Sequence, residues 1–383
     1  MKRSIEFIVC LFLVLSVVYM KPVISSRNQP KPKNDLSVEK VKISHKSVPY
    51  YELNTTGMAN YVGKTKDEFL KEFPKPKKTF SSYYQTEWLV YGDSLNDYYQ
   101  VEIKNSVVSS VFVLGKNLET TPFAMDMNLV DLAEITTIFS NFNFSYGDEK
   151  YEVELTEDDM NYRPLVAFNN GTFAMLHINQ GTGKLMAIRY LDKHTLLSIM
   201  PYQMDQDNKV QEKLPLEAKD WHQVNQDNQE QLVTILNLLR EKEDKKKYQM
   251  DSTLQVGSKK GIELLSEKPD VIIDEESHLK NWKKVSETNI STPPFVLNKK
   301  ETTRLIKKLD LSPKETHGIF YAPVVDVPFM VTNWYGSRFY HEELAHKNDS
   351  RIGLTFDKQG VMTFFGKEKE KIKTVESSDN GDL

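Results

Sequence analysis

The sequence predicts an α+β protein, and three stretches carry that expectation. Residues Thr86–Leu114 (TEWLVYGDSLNDYYQVEIKNSVVSSVFVL) place aromatic and β-branched residues between turn signals, as strands in a meander do. The TKDEFLKEF segment just before them puts Phe69, Leu70 and Phe73 on one helical face. Residues Glu230–Asp244 carry Leu232, Ile235, Leu236 and Leu239 at helical spacing, far from the meander. The chain has 383 residues with 19 Phe, 18 Tyr and 4 Trp. That is enough for two cores. A net charge of −4 gives no electrostatic reason to expect nucleic acid as a partner.

The N-terminus sets the compartment. Lys2 and Arg3 precede a run from Phe7 to Met20 that is apolar except for Ser16. The run has the length of a signal-peptide core. No small-x-small cleavage site follows, and Tyr19-Met20-Lys21-Pro22 is a poor exit for a signal peptidase. With Val23 and Ile24 included and Lys21 snorkelling, the run reaches about 20 residues, enough to span a bilayer. Residues 1–26 are therefore expected to be an uncleaved signal anchor with the bulk of the chain outside the cell; secretion after cleavage is the alternative. The one cysteine, Cys10, lies in this run, so the exported part has no thiol for a disulfide, a zinc-thiolate site or a nucleophile.

Residues 27–50 are polar, Lys- and Pro-bearing and aperiodic, and read as a stalk; His45 is a lone histidine in it. Residues 51–203 read as the first folded unit. It is a tandem of two helix-plus-meander halves, the second beginning with a helix at Asn128–Ile135. Strands follow at 150–155, 165–168, 173–178 and 185–190, with Asn170-Gly171 and Gly181-Thr182-Gly183 as turns. Residues 204–229 are rich in Gln, Asn and Asp and read as a linker; 230–366 form a second unit; 367–383 are a charged, Ser/Asp-rich tail.

In order along the first unit stand Tyr61-x-Gly63, Phe73-Pro74-x-Pro76, Ser81-Ser82-Tyr83, Glu87-Trp88-x-Val90-Tyr91, Tyr99-x-Val101, Pro164-Leu165-Val166, Ile188-Arg189-Tyr190-Leu191-Asp192 and Pro201-Tyr202. Together they resemble the CAP-associated N-terminal domain, found in exported proteins of Gram-positive bacteria ahead of a CAP domain (the cysteine-rich secretory, antigen and pathogenesis-related superfamily). Asn237-x-x-Arg240, Trp334-Tyr335-Gly336-Ser337, Arg351–Leu354 and Val361–Phe365 resemble parts of a CAP domain. The resemblance implies a three-layer α-β-α sandwich over residues 230–366. A thiol-free exported part also suits a Gram-positive-like surface.

CAP domains present two histidines and acidic residues in one cleft, a set that can hold a divalent metal or do acid–base work. The family's Gly-Glu-Asn-Ile segment falls near Gly318-Ile319-Phe320-Tyr321, with no Glu or Asn there. The family histidine three residues past the Trp-x-x-Ser serine falls on Tyr340; His341 is one position late and faces elsewhere. The resemblance thus implies a degenerate cleft. His278 and His341 are the weak metal candidates, with His317 and Glu342/Glu343 as further members of a relic site. The blander reading makes all of these solvated surface groups.

Other features carry little chemistry. His177 is expected to be a surface or cross-strand residue, and His194 a turn-capping one. Glu157-Asp158-Asp159 reads as a solvated charge run, and Gly181–Lys184 as a hairpin turn that lacks P-loop spacing. Tyr83, Trp88, Tyr91, Tyr99, Trp334 and Tyr340 are candidates for a contact surface, because alternation sends some aromatics outward and Tyr and Trp suit interfaces; core packing is the competing reading.

The expected function is a membrane-anchored, non-catalytic binding or regulatory protein of the cell envelope. No cofactor is expected, and the partner is an envelope protein or a peptidoglycan-associated one. The alternatives are an envelope hydrolase with a displaced metal site and a lipid- or peptide-binding CAP module.

Overall fold

The computed structural model describes residues 49–82, 84, 86–204, 220–288, 294–357 and 360–368. The expected anchor, most of the stalk, Tyr83 and nearly all of the tail lie outside them. Among the described residues no helix is long and apolar enough to cross a membrane.

Short local signals build the first half. After β1 (Glu52–Leu53) comes α1 (Lys66–Glu72), whose Thr65 cap accepts from the Glu68 N–H while Glu68 reaches back to the Thr65 N–H. Phe69 is buried and stacks on Phe73 at 4.8 Å. Strands β2 (Lys78–Ser81), β3 (Glu87–Tyr91), β4 (Tyr99–Lys104) and β5 (Val107–Val113) follow as an antiparallel meander. The β4–β5 turn places Asn105 and Ser106 at φ +49 and +63, the left-handed pair that a tight two-residue hairpin needs.

The chain continues through α2 (Leu129–Ile135), β6 (Asn141–Tyr146), β7 (Glu149–Glu154), α3 (Glu157–Tyr162), β8 (Leu165–Phe168), β9 (Phe173–Ile178), β10 (Leu185–Leu191), α4 (Lys193–Ile199) and β11 (Gln203–Met204). The two meanders do not stay separate. β10 pairs with β5, giving one eight-stranded sheet in the order β1-β8-β9-β10-β5-β4-β3-β2. β6 is a strand beyond those expected; with β7 and β11 it forms a small second sheet. Phe142 and Phe144 point into its core while Asn143 and Ser145 are exposed, a period-2 signal only six residues long.

The second half opens with α5 (Trp221–Lys242), which starts at Trp221 rather than Glu230 and is capped by Asp220. Its first turns bury Asp227, Asn228 and Gln231, so their inward face is polar and has no hydropathy period. Then come β12 (Gln249–Met250), α6 (Ser252–Glu267), α7 (Glu276–Thr288), β13 (Phe295–Val296), α8 (Lys299–Lys308), β14 (Thr316–Ala322), α9 (Val327–Gly336), α10 (Arg338–Leu344), β15 (Asp349–Asp357) and β16 (Gly360–Lys367). The sheet order is β12-β15-β16-β14-β13. Val361 and Phe365 face α5 and α9, whereas Met362 and Phe364 face α6, α7 and α8. This is the expected α-β-α sandwich. Gly353 permits the α6 contact: a Cβ there would lie 2.1 Å from the Leu254 carbonyl carbon.

Residues from Ser47 onward form one compact unit. Trp88, Val90, Tyr98 and Phe112 of the large sheet share a core with Leu232 and Leu236 of α5, Met330 and Trp334 of α9, and Ile352 and Leu354 of β15. Helices α5 and α9 therefore lie between two sheets. This corrects the contact-surface expectation. Trp88, Tyr91, Tyr99 and Trp334 are all buried. Alternation does split the aromatics, but the large sheet is covered on both faces: Trp88 meets α5 and α9, while Tyr91 and Tyr99 pack with Phe69 of α1 and with partly buried Phe73. Tyr340 is half-buried.

Polar ties cross the same junction. The buried Arg189 of β10 donates from Nη2 to Glu102 at 3.0 Å and to Asp326, the cap of α9, at 2.9 Å, and its guanidinium lies 4.3 Å from the Trp88 ring centre. Gln231 of α5 donates to Gln100 of β4 at 2.6 Å. Inside the second half, the buried Arg240 donates to the carbonyls of Leu344 and Asp349, both at 2.7 Å. Asn237-x-x-Arg240 is thus a structural clamp.

Candidate functional site

The junction of the halves encloses a cleft. Its N-terminal wall starts at α3, where Thr156 caps the helix and Asp159 returns the bond in a capping box. The Glu157–Asp159 run is therefore a helix start rather than a solvated turn. Asp158 is exposed, but Asp159 turns inward to pair with Arg163, one turn on. Arg163 Nη1 donates to Asn333 Oδ1 of α9 at 3.1 Å, and Nη2 donates to the Pro201 carbonyl at 2.7 Å. Its guanidinium lies 5.3 Å from the Tyr202 ring centre and 5.5 Å from that of Phe329. One arginine so ties three parts of the cleft.

Two cavities, of about 340 and 300 Å³, share Arg163, Pro294, Tyr321 and Asn333 in their walls. Each has the size of a small-molecule pocket. The larger also meets Asp158, His177, Trp334 and Tyr340. The smaller is more apolar, with Ile199, Val325, Phe329 and Met330. Of the two readings of His177, the cross-strand one holds, opposite Ala187 of β10, and the surface one does not: it is only 3 % exposed, because β9 lies inside the sheet under α9, and its ring centre is 6.2 Å from that of Phe329. Burial, helped by the charges of Arg163 and Arg189, pushes its pKa down to about 3, so the imidazole is neutral at physiological pH. His177 Nε2, Arg163 Nε, Trp334 Nε1 and Ser198 Oγ are buried without a hydrogen-bond partner among the described residues. Such atoms are uncommon in folded proteins, because each costs roughly 1–3 kcal/mol.

Of the positions that the CAP resemblance points to, Tyr340 and Tyr321, the last residue of the Gly318–Tyr321 segment, stand in the wall of the larger cavity, whereas Ile319 and Phe320 are buried in the core. Burial pushes both phenols above their ordinary value, so neither is a base near neutral pH.

The histidine candidates do not converge. On α7, His278 Nδ1 lies 2.8 Å from Glu301 and its ring stacks on Phe295 at 4.5 Å. On α10, His341 Nδ1 donates to the Tyr335 carbonyl at 2.8 Å and Nε2 lies 3.3 Å from Glu243 of α5. The two share no partner. Two other named groups do meet: His317 of β14 has Glu343 of α10 at 2.6 Å from Nδ1 and Asp349 of β15 at 2.5 Å from Nε2. Burial opposes that charge, but the two carboxylates outweigh it and hold the His317 pKa at about 9. Among the described residues, no group of three or more His, Cys, Asp and Glu side chains is arranged to hold a metal ion.

Sequence reasoning missed Arg163, His177 and Asn333. The Thr156-x-x-Asp159 capping box followed by Arg163 was a usable local signal. Nothing local marks His177 or Asn333, which meet Arg163 only through tertiary packing.

The arrangement defines a class: a protein with an α-β-α sandwich packed on a mixed helix-and-sheet domain across a polar cleft. Residues 62–202 match the family model described as CAP-associated N-terminal. The extracellular protein containing an SCP domain from Bacillus anthracis superposes with a TM-score of 0.63 at 17% identity, over 89% of this chain and 100% of that chain. The cysteine-rich secretory protein from Staphylococcus aureus gives 0.66 at 19% identity, over 83% and 95%. The superposed share exceeds either half alone, so the likeness extends to the fold of both. The uncharacterized membrane protein YlbC of Bacillus subtilis is 25% identical over 197 residues, 51% of this chain and 57% of that protein. The match thus spans little more than half of that relative's length.

Proposed function

We propose that this is a membrane-anchored, extracytoplasmic binding protein of the cell envelope, without catalytic activity, which takes its ligand in the cleft between its halves. The observation that carries this reading is the set of buried polar atoms without partners among the described residues around Arg163, in a cleft walled by Tyr321 and by Tyr340, which stands where the resemblance expects a histidine. Acid–base hydrolysis needs convergent titrating groups at the reacting atoms. Here the cleft imidazole is held neutral and the phenols are pushed up. The anchor reading rests on the Phe7–Met20 run behind Lys2 and Arg3 and is supported by the printed description of YlbC as a membrane protein. The partner on this reading is an envelope protein or a peptidoglycan-associated one.

Fractionation and protease shaving of intact cells test the placement: full-length chain in the membrane fraction, degraded from outside, is the expected result. For the chemistry, detergent-solubilised full-length protein is incubated with isolated cell walls. It should co-sediment without releasing reducing sugars or free amines. Release that is abolished by His278→Ala with His341→Ala, in a variant still folded by circular dichroism, would replace this reading with a displaced-site hydrolase.

A further inference from the structure

Resting on the reading of the cleft as a ligand site, we infer that the cleft takes a neutral, N-acetylated sugar of an envelope glycan. The polar groups that stay open in the wall of the larger cavity carry the inference. Asn333 accepts from Arg163 through Oδ1, which leaves its Nδ2 donor without a partner among the described residues. Gln180 spends Oε1 on the Arg338 N–H and keeps its Nε2 donor. The Tyr162 and Tyr340 hydroxyls and the Asp158 carboxylate have no partner among the described residues either. All five residues stand in that wall. Asp158 is exposed, and the partnerless groups of the other four are not among those shut off from solvent, so a ligand can reach all five. Two amide donors, two hydroxyls and one carboxylate suit a ligand that both donates and accepts, as sugar hydroxyls do.

Charge and polarity narrow the class. Arg163, the one Lys or Arg among the described residues in the walls of either cavity, is already paired with Asp159. His177 stays uncharged. Asp158 is thus the unpaired charge of the larger cavity, and it repels anions. A sugar hydroxyl donates to it in a charge-assisted bond without a second ion to desolvate. Asn333 stands in the wall of both cavities, and the smaller one adds Ile199, Phe329 and Met330. An acetamido group matches that shared wall: its carbonyl accepts from Asn333 Nδ2, and its methyl gains from the apolar side. Next to Tyr340 in the chain, Phe339 is 78% exposed, and the two rings meet at 4.9 Å and 90°. The C–H face of a pyranose is apolar and covers such an open aromatic ring. A neutral peptide shares the amide chemistry but lacks the clustered hydroxyls, so the open groups favour the sugar.

The test uses the full-length chain in detergent, with isothermal titration and co-sedimentation on isolated cell walls. The probes are triacetylchitotriose, the deacetylated trimer, cellotriose, which has the hydroxyls without the acetamide, and acetyl-trialanine amide. Triacetylchitotriose should bind about tenfold more tightly than cellotriose or the deacetylated trimer and should displace the protein from walls. Asn333→Asp keeps an acceptor for Arg163 and loses the donor. It should weaken triacetylchitotriose about five- to tenfold and leave cellotriose unchanged. Phe339→Ala, at an exposed position where folding is not at stake, should weaken both sugars alike, by about fivefold. Equal binding of triacetylchitotriose and cellotriose, tighter binding of the deacetylated trimer, or sugar binding unchanged in both variants would overturn the inference. Binding of the peptide amide alone would overturn the sugar and leave the cleft as a ligand site. Co-sedimentation with walls but no sugar binding would overturn this inference and leave the envelope reading standing; no co-sedimentation and no binding of any probe would remove both.

Discussion

Replacing His317 with Asn should remove a pH-dependent share of stability. The imidazole sits between Asp349 and Glu343, its side chain 28% exposed, and its folded pKa of about 9 is above the ordinary 6.5. A raised folded pKa contributes stability that is fully present below the unfolded value and lost as pH rises through the folded one. Linkage gives about 3 kcal/mol at pH 6, 2 to 3 at pH 7 and well under 1 at pH 9, as upper values because the site is partly solvated. Urea unfolding of wild type and His317→Asn between pH 6 and 9.5 measures the difference. The two stability curves should converge toward alkaline pH, with the larger gap near pH 6 to 7. Parallel curves would refute the reasoning, because a purely steric loss has no reason to follow proton occupancy.

Other perturbations test the frame around the cleft. Arg189→Ala leaves Glu102 and Asp326 without their shared buried cation and should cost about 3–5 kcal/mol by chemical denaturation. Gly353→Ala drives a methyl into the α6 backbone at Leu254 and should cost about 1–3 kcal/mol; a neutral result would mean that α6 does not need this close approach. Thr156→Ala removes the cap of α3 and should cost about 1 kcal/mol, while loosening Asp159 and Arg163, visible as faster amide exchange over 157–163.

Much of the secondary structure was legible because it rests on local rules. The Thr65 and Asn128 helices, the meander between Thr86 and Leu114, and the strands at 165–168 and 173–178 follow from caps, turns and period-2 patterning. The upstream turns of α5 were not legible, since Asp227 and Gln231 are buried by polar pairing, Asn228 is buried beside them, and these polar residues leave no hydropathy period. The cleft was legible only in outline. Trp334 and Tyr340 were singled out as surface aromatics, and the structure places both in its wall, Trp334 buried and Tyr340 half-buried.

The sequence by itself determined the helices and strands whose signals lie within a few residues, the absence of thiols beyond Cys10 and the tyrosine at position 340. Only the tertiary structure decided that both faces of the large sheet are covered, which turns Trp88, Tyr91 and Tyr99 from candidate contacts into core. It also decided that Arg163, His177 and Asn333, drawn from α3, β9 and α9, share one cleft. The physical reason is range. Caps, turns and periodicity act over a few residues, whereas burial and hydrogen-bond satisfaction depend on which distant surface packs against a strand, and that is settled only when α5 and α9 dock between the two sheets.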